Sequence, residues 1–124
     1  MIDINNNIIT MNRGDTFSMP LHINIGTKYA PEYYTLEDGD EVYFALEEYN
    51  QPFEFALIRK VFNKANLDED GNVLITLSNN DTQCLLPGEY YYEIKLKHVY
   101  LDENDNENEV VDTIVPRRKF IIIE

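Results

Sequence analysis

The chain has 124 residues, 44% hydrophobic and 27% charged, a composition that fits one globular domain and leaves too little length for two ordinary cores. Its 23 acids against 10 bases give a formal net charge of −13, which argues against nucleic acid or an anionic membrane as partner, because both attract a concentrated basic surface. The one basic cluster, Arg117-Arg118-Lys119, does not reverse that balance, no apolar run is long enough to span a bilayer, and Met1-Ile2-Asp3-Ile4-Asn5 lacks the basic flank and apolar block of a signal peptide.

Taken in chain order, the dominant hydrophobic period is two. Residues 1–10 read as a short leading strand or N-terminal arm with Ile8, Ile9 and Met11 apolar, and Asn5-Asn6-Asn7 is able to carry it to a neighbour. Phe17, Met19, Leu21, Ile23 and Ile25 alternate with polar residues, the signature of a strand with one buried face. Pro20 cannot donate to a ladder, so this strand lies at an edge or is bulged there. Val42, Phe44 and Leu46 mark the next strand. Phe53, Phe55 and Leu57 hold one parity before Ile58 and Phe62 take the other, as a bulge or a change of sheet would produce. Asp68-Glu69-Asp70-Gly71-Asn72 is a turn, followed by the strand of Val73, Ile75 and Leu77. Ser78 with Asp81 is a cap for one helical turn over about Asn79 to Cys84. Tyr90, Tyr92, Ile94 and Leu96 form a long strand. After the polar loop Asp102 to Glu109, Val110 to Val115 and Lys119 to Ile123 form a closing strand interrupted at Pro116.

These elements make about seven strands with no long amphipathic helix, the pattern of an all-β, immunoglobulin-like antiparallel β-sandwich, with a small barrel as the alternative that alternation alone does not separate. One domain covers residues 1–124. Pro87-Gly88-Glu89-Tyr90-Tyr91-Tyr92 favours the sandwich: it has the form of the corner opening strand F, with Tyr90 as the corner tyrosine and Tyr92 in the core. The chain contains no Trp and a single Cys, so the core closes by packing alone around Phe17, Phe44, Ile75, Tyr92, Ile94 and Phe120. Cys84, beside Leu85 and Leu86, reads as a small buried apolar residue in a protein assembled in a reducing compartment.

Several pieces occur in order: Arg13-Gly14-Asp15-Thr16, Tyr34-Thr35-Leu36, Gly39-Asp40-Glu41-Val42-Tyr43-Phe44, Asn80-Asp81-Thr82 with Leu85, Pro87-Gly88-Glu89-Tyr90-Tyr91-Tyr92-Glu93-Ile94, and Asp112-Thr113-Ile114 with Lys119-Phe120-Ile121-Ile122. Over nearly its full length the chain resembles the immunoglobulin-like N-terminal domain of bacteriophage baseplate upper proteins and related small phage virion proteins. The resemblance implies a non-enzymatic virion component of the tail or baseplate, neck or head decoration, made in the bacterial cytoplasm. Its partners would be other virion proteins, and forming an oligomer in the assembled particle would be open to it. Pro116-Arg117-Arg118 departs from the glycine such relatives often carry before Lys-Phe, and the module stands here without the longer chain that usually follows it.

Candidate chemistry is sparse. Arg13-Gly14-Asp15 precedes a strand and reads as a structural bend. Counting from Asp68, positions six and twelve of a calcium loop are Val73 and Asn79, which breaks that pattern. Asp102 to Glu109 reads as a solvated acidic loop. His22 and His98 stand alone and are expected to face outward or line an edge. No nucleophile motif, phosphate loop or paired carboxylates are apparent, the acids falling mainly in turns and on outward positions where water keeps them ionised, so no catalytic residue, cofactor or metal is expected. The interface candidates are Tyr29 and Tyr33 in a loop with Pro31, Tyr43 and Tyr91 on outward strand positions, and Ile121 and Ile123 in an end strand apolar on both faces. The same tyrosines support an alternative, a carbohydrate-binding or host-adhesion module. Mimicry of nucleic acid by the acidic charge lacks a helix to array it.

Overall fold

The computed structural model describes residues 2–5, 8–24, 29–30, 32–48 and 52–124. Its elements are β1 (Ile2–Asn5), β2 (Ile8–Asn12), β3 (Phe17–Leu21), β4 (Ile23–Asn24), β5 (Tyr33–Tyr34), β6 (Glu41–Glu47), β7 (Ile58–Phe62), β8 (Val73–Leu77), α1 (Asn79–Gln83), β9 (Gly88–Leu101) and β10 (Glu107–Ile123). The fold is an all-β sandwich. One sheet has the order β1-β2-β10-β9-β6-β7, and β3 pairs with β8 in the facing layer. A further short pair joins β4 to β5. Placing β3 with β8 in one layer, and β9 between β6 and β10 in the other, reproduces the B–E and C–F–G pairing of immunoglobulin domains.

The alternating residues face one another across the two layers. Phe17 of β3 meets Phe120 of β10 edge-on at 5.9 Å, Phe120 meets Tyr92 at 6.2 Å, and Tyr92 stacks on Phe44 at 6.0 Å. This run of four rings occupies the place where immunoglobulin domains set a disulfide against a Trp. Each such ring contributes roughly 1.5–3 kcal/mol by burial, and each pair about 0.5–1.5 kcal/mol beyond that. Ile75 and Ile94 complete the centre, both fully buried.

Several expectations are corrected. The large sheet is mixed, because β2 runs parallel to β10 with Ile9 opposite Phe120. Among the described residues ten strands are formed rather than about seven, since an N-terminal hairpin is added and the run from Phe17 breaks at His22. Ile25, Asn6, Asn7 and Pro31 lie outside the described residues. Phe53–Phe55 is a 3₁₀ turn and not strand; it carries Phe53 back over the sheet, which explains the slipped parity. β10 is continuous through Pro116, and its register shifts between Thr113 and Val115 and again between Val115 and Arg118 absorb the proline, which has no N–H to give a ladder. Cys84 is exposed, not buried. Thr82 is the residue of that turn taken into the interior, where its hydroxyl donates to the Asp15 carbonyl and accepts from the Gly14 N–H.

Local chemistry sets the connections. Ser78 and Asp81 form a reciprocal capping box at α1, and Lys60 of β7 reaches Asp81 at 2.9 Å, tying the two layers together. At the opening of β9 the Tyr90 hydroxyl donates to the Leu86 carbonyl at 2.6 Å. Arg13-Gly14-Asp15 is a turn with Gly14 at φ 85°, where a side chain would be strained, and Arg13 pairs with Glu124 at 3.2 Å.

Candidate functional site

Two buried carboxylates stand out, since the acids were expected on outward, solvated positions. Asp40, 1% exposed, follows the turn at Gly39 and closes onto β9. Its Oδ2 accepts from the Tyr34 hydroxyl and from the Glu37 N–H, and its Oδ1 lies 2.7 Å from His98 Nδ1. An ionised carboxylate only accepts, so Nδ1 carries the proton. Burial pushes the Asp40 carboxyl upward, but the Tyr34 hydroxyl, the Glu37 amide and His98 outweigh it and hold the group below its ordinary value. Tyr34 is held well above the ordinary phenol range by burial, by donation to Asp40 and by the charges of Asp40 and Glu37.

His98 therefore does not stand alone at an edge. It shares the inward parity of Tyr92, Ile94 and Leu96, and that parity was the signal available in the sequence. Along this face burial falls from Ile94 through Leu96 and His98 to the exposed Tyr100, as β9 and β10 run out past the second layer. Tyr34, Leu96, His98, Tyr100, Val110 and Asp112 line a cleft of about 230 Å³ on this stretch. Glu37, Asp40 and His98 also bring ligand atoms within 4.8 Å of one another. Asp40 Oδ2 already accepts two hydrogen bonds and Oδ1 one, so a cation there competes with this network. The cleft lining offers no Ser, Thr, Cys or Lys as nucleophile beside the Asp40–His98 pair.

The second buried acid is Glu47, 1% exposed, on the outer face of the large sheet. Arg117 projects from the irregular stretch of β10, passes over the Tyr91 ring at 5.2 Å, and places Nη2 3.1 Å from Glu47 Oε2 and 2.8 Å from the Glu48 carbonyl. Glu47 Oε1 has no hydrogen-bond partner among the described residues. Burial, then the neighbouring Glu93 carboxylate, push the carboxyl up to about 7 against the pull of Arg117 and Lys95.

The sequence-derived interface candidates are dispersed. Tyr29 and Tyr33 are 92% and 68% exposed, while Tyr34 and Leu36 of the same region turn onto the core. Tyr43 donates to Glu41 Oε2 at 3.1 Å and meets Phe53 at 6.3 Å. Phe53 is itself flanked by Arg59 and Lys95. Tyr91 lies under Arg117. Tyr33 meets the His22 ring at 6.2 Å. Ile121 and Ile123 fall on the outward parity of β10, which has a neighbour on each side; Ile121 is half-buried and Ile123 exposed. Asp102 has its oxygens taken by the Asn104 and Asn106 N–H groups and the Asn108 amide. No helix among the described residues is long and apolar enough to cross a membrane.

No family model, curated protein or solved structure matches the chain.

Proposed function

We propose that this chain is a non-enzymatic structural protein of a bacteriophage particle, an immunoglobulin-like module that docks on other virion proteins. The observation that carries the reading is the set of exposed apolar side chains that the Tyr29–Tyr34 region and the β9–β10 hairpin carry: Tyr29, Tyr33, Tyr100, Leu101, Val110 and Val111. In immunoglobulin sandwiches the B–C and F–G loops share one end and serve as recognition loops, and large apolar area left on a folded module marks an interaction surface. The ordered resemblance to baseplate upper proteins supports the virion setting, and the acidic surface keeps free copies apart until they meet a partner. Tail, neck and head positions are all consistent with it.

Mass spectrometry of density-purified source particles tests the reading. Peptides spanning the chain at stoichiometric abundance are expected. Their absence from particles that contain the other structural proteins overturns it.

A further inference from the structure

We propose that the cleft between Tyr34 and the β9–β10 hairpin receives a lysine or arginine side chain presented by a partner protein; this deepens the docking reading, on which it rests for the partner being a protein. The Tyr34 hydroxyl spends its proton on Asp40 and lies 3.3 Å from His98 Nδ1, so what it has left for a newcomer is acceptor capacity. In the neutral ring the His98 Nδ1–H donates to Asp40 and the second ring nitrogen is an acceptor. The side chain of Asp112, the charged residue of the lining, has no ion pair or hydrogen bond among the described residues. Lys and Arg side chains carry donors and no acceptor, so they complement this set. A sugar hydroxyl, which presents both, does so less well.

Shape and charge agree. Leu96 and Val110 give an apolar wall for the aliphatic stem. The Tyr34 and Tyr100 rings flank His98, edge-on at 6.3 Å and stacked at 6.2 Å, and the exposed Tyr100 ring offers its outer face to a cationic head. Buried, ionised Asp40 lies behind His98, and the hairpin tip carries Asp102, Glu103, Asp105, Glu107 and Glu109, so the local field is negative over the approach as well as at the contact. In the register of β9 and β10, Asp112 lies opposite Leu96 and Val110 opposite His98, so this one hairpin holds the carboxylate and the apolar wall in fixed relation. Asp112 is exposed, and contact with a cation adds a charge-assisted hydrogen bond.

The test uses the isotopically labelled full chain and backbone amide NMR. Acetyl-Gly-Arg-Gly-amide and acetyl-Gly-Lys-Gly-amide are titrated, with the norleucine peptide as a stem of similar length lacking charge and methyl glucoside as a sugar. Saturable shifts in Leu96, His98, Tyr100, Val110 and Asp112 are expected from the cationic peptides, weakened about tenfold in Asp112→Asn, which removes the charge-assisted contact. Tyr100→Ala, at an exposed position, is expected to weaken binding while the remaining spectrum stays folded. Equal response to norleucine, shifts elsewhere, indifference to Asp112→Asn, or no shift at all overturns the proposal, and saturable shifts from methyl glucoside alone assign the cleft to sugar instead. None of these outcomes bears on whether the chain is found in particles, so the two readings fail separately.

Discussion

Arg117 and Glu47 meet across the full width of strand β9, Nη2 lying 3.1 Å from Oε2, and the pair leaves a buried carboxyl whose second oxygen finds no donor among the described residues. Burial and Glu93 raise this carboxyl from 4.5 to about 7. Below pH 4.5 it is protonated folded and unfolded alike. Between these values the folded chain keeps a proton that the unfolded chain releases, so stability falls as pH rises and levels off above about 7. The loss is on the order of 3 kcal/mol. Urea unfolding at pH 5 and pH 8 reads it directly. Glu47→Gln is expected to flatten the dependence, because the amide donates to Glu93 at every pH, and an unchanged slope in that variant would assign the effect to another group.

Asp40 works in the opposite sense. Its carboxyl is lowered in the fold, so the stability it contributes is present above its unfolded pKa and is lost as pH falls through the folded value. Asp40→Ala strands the Tyr34 hydroxyl, the Glu37 N–H and the His98 Nδ1–H, and is expected to cost about 2–4 kcal/mol. Combined with Tyr34→Phe, the total is expected to be smaller than the sum of the two single changes. Strict additivity in a denaturant cycle would refute the shared network.

The corner at Tyr90 is a hydroxyl question. Tyr90→Phe keeps the ring and removes one bond to the Leu86 carbonyl, and a loss of about 1–2 kcal/mol is expected. Tyr100→Phe, on an exposed ring, is expected to stay within about 0.5 kcal/mol. Equal midpoints for the two variants would remove the corner from the stability argument.

Cys84 is exposed at the end of α1. The native chain is therefore expected to react with a thiol reagent at one equivalent without denaturant, and Cys84→Ser to change stability by less than about 0.5 kcal/mol. Protection of the thiol until unfolding would place it inside.

Much of the sandwich was legible because a half-buried strand alternates: Phe17, Phe44, Ile75, Tyr92, Ile94 and Phe120 are all buried as their parity requires. The parallel pairing of β2 on β10 was not, since periodicity is blind to strand direction. Phe53 was misread because three apolar residues at every second position fit a strand and a short turn folded over a sheet equally well. Asp40 and Glu47 escaped notice for a different reason. Burial of an acid depends on partners far along the chain, 58 residues away for His98, and local sequence carries no trace of them. His98 itself was readable, as the continuation of the inward row begun at Tyr90.

The parallel seam between β2 and β10 has a consequence for synthesis. Ile9 and Met11, both in the interior, find their neighbours in Phe120 and Ile122, so this edge of β2 stays unmatched until Phe120 and Ile122 have left the ribosome. Closure spanning so many intervening residues is slow. A nascent copy therefore waits with a greasy edge open, and a chaperone that shields residues 8–12 during elongation would raise the yield of finished molecules.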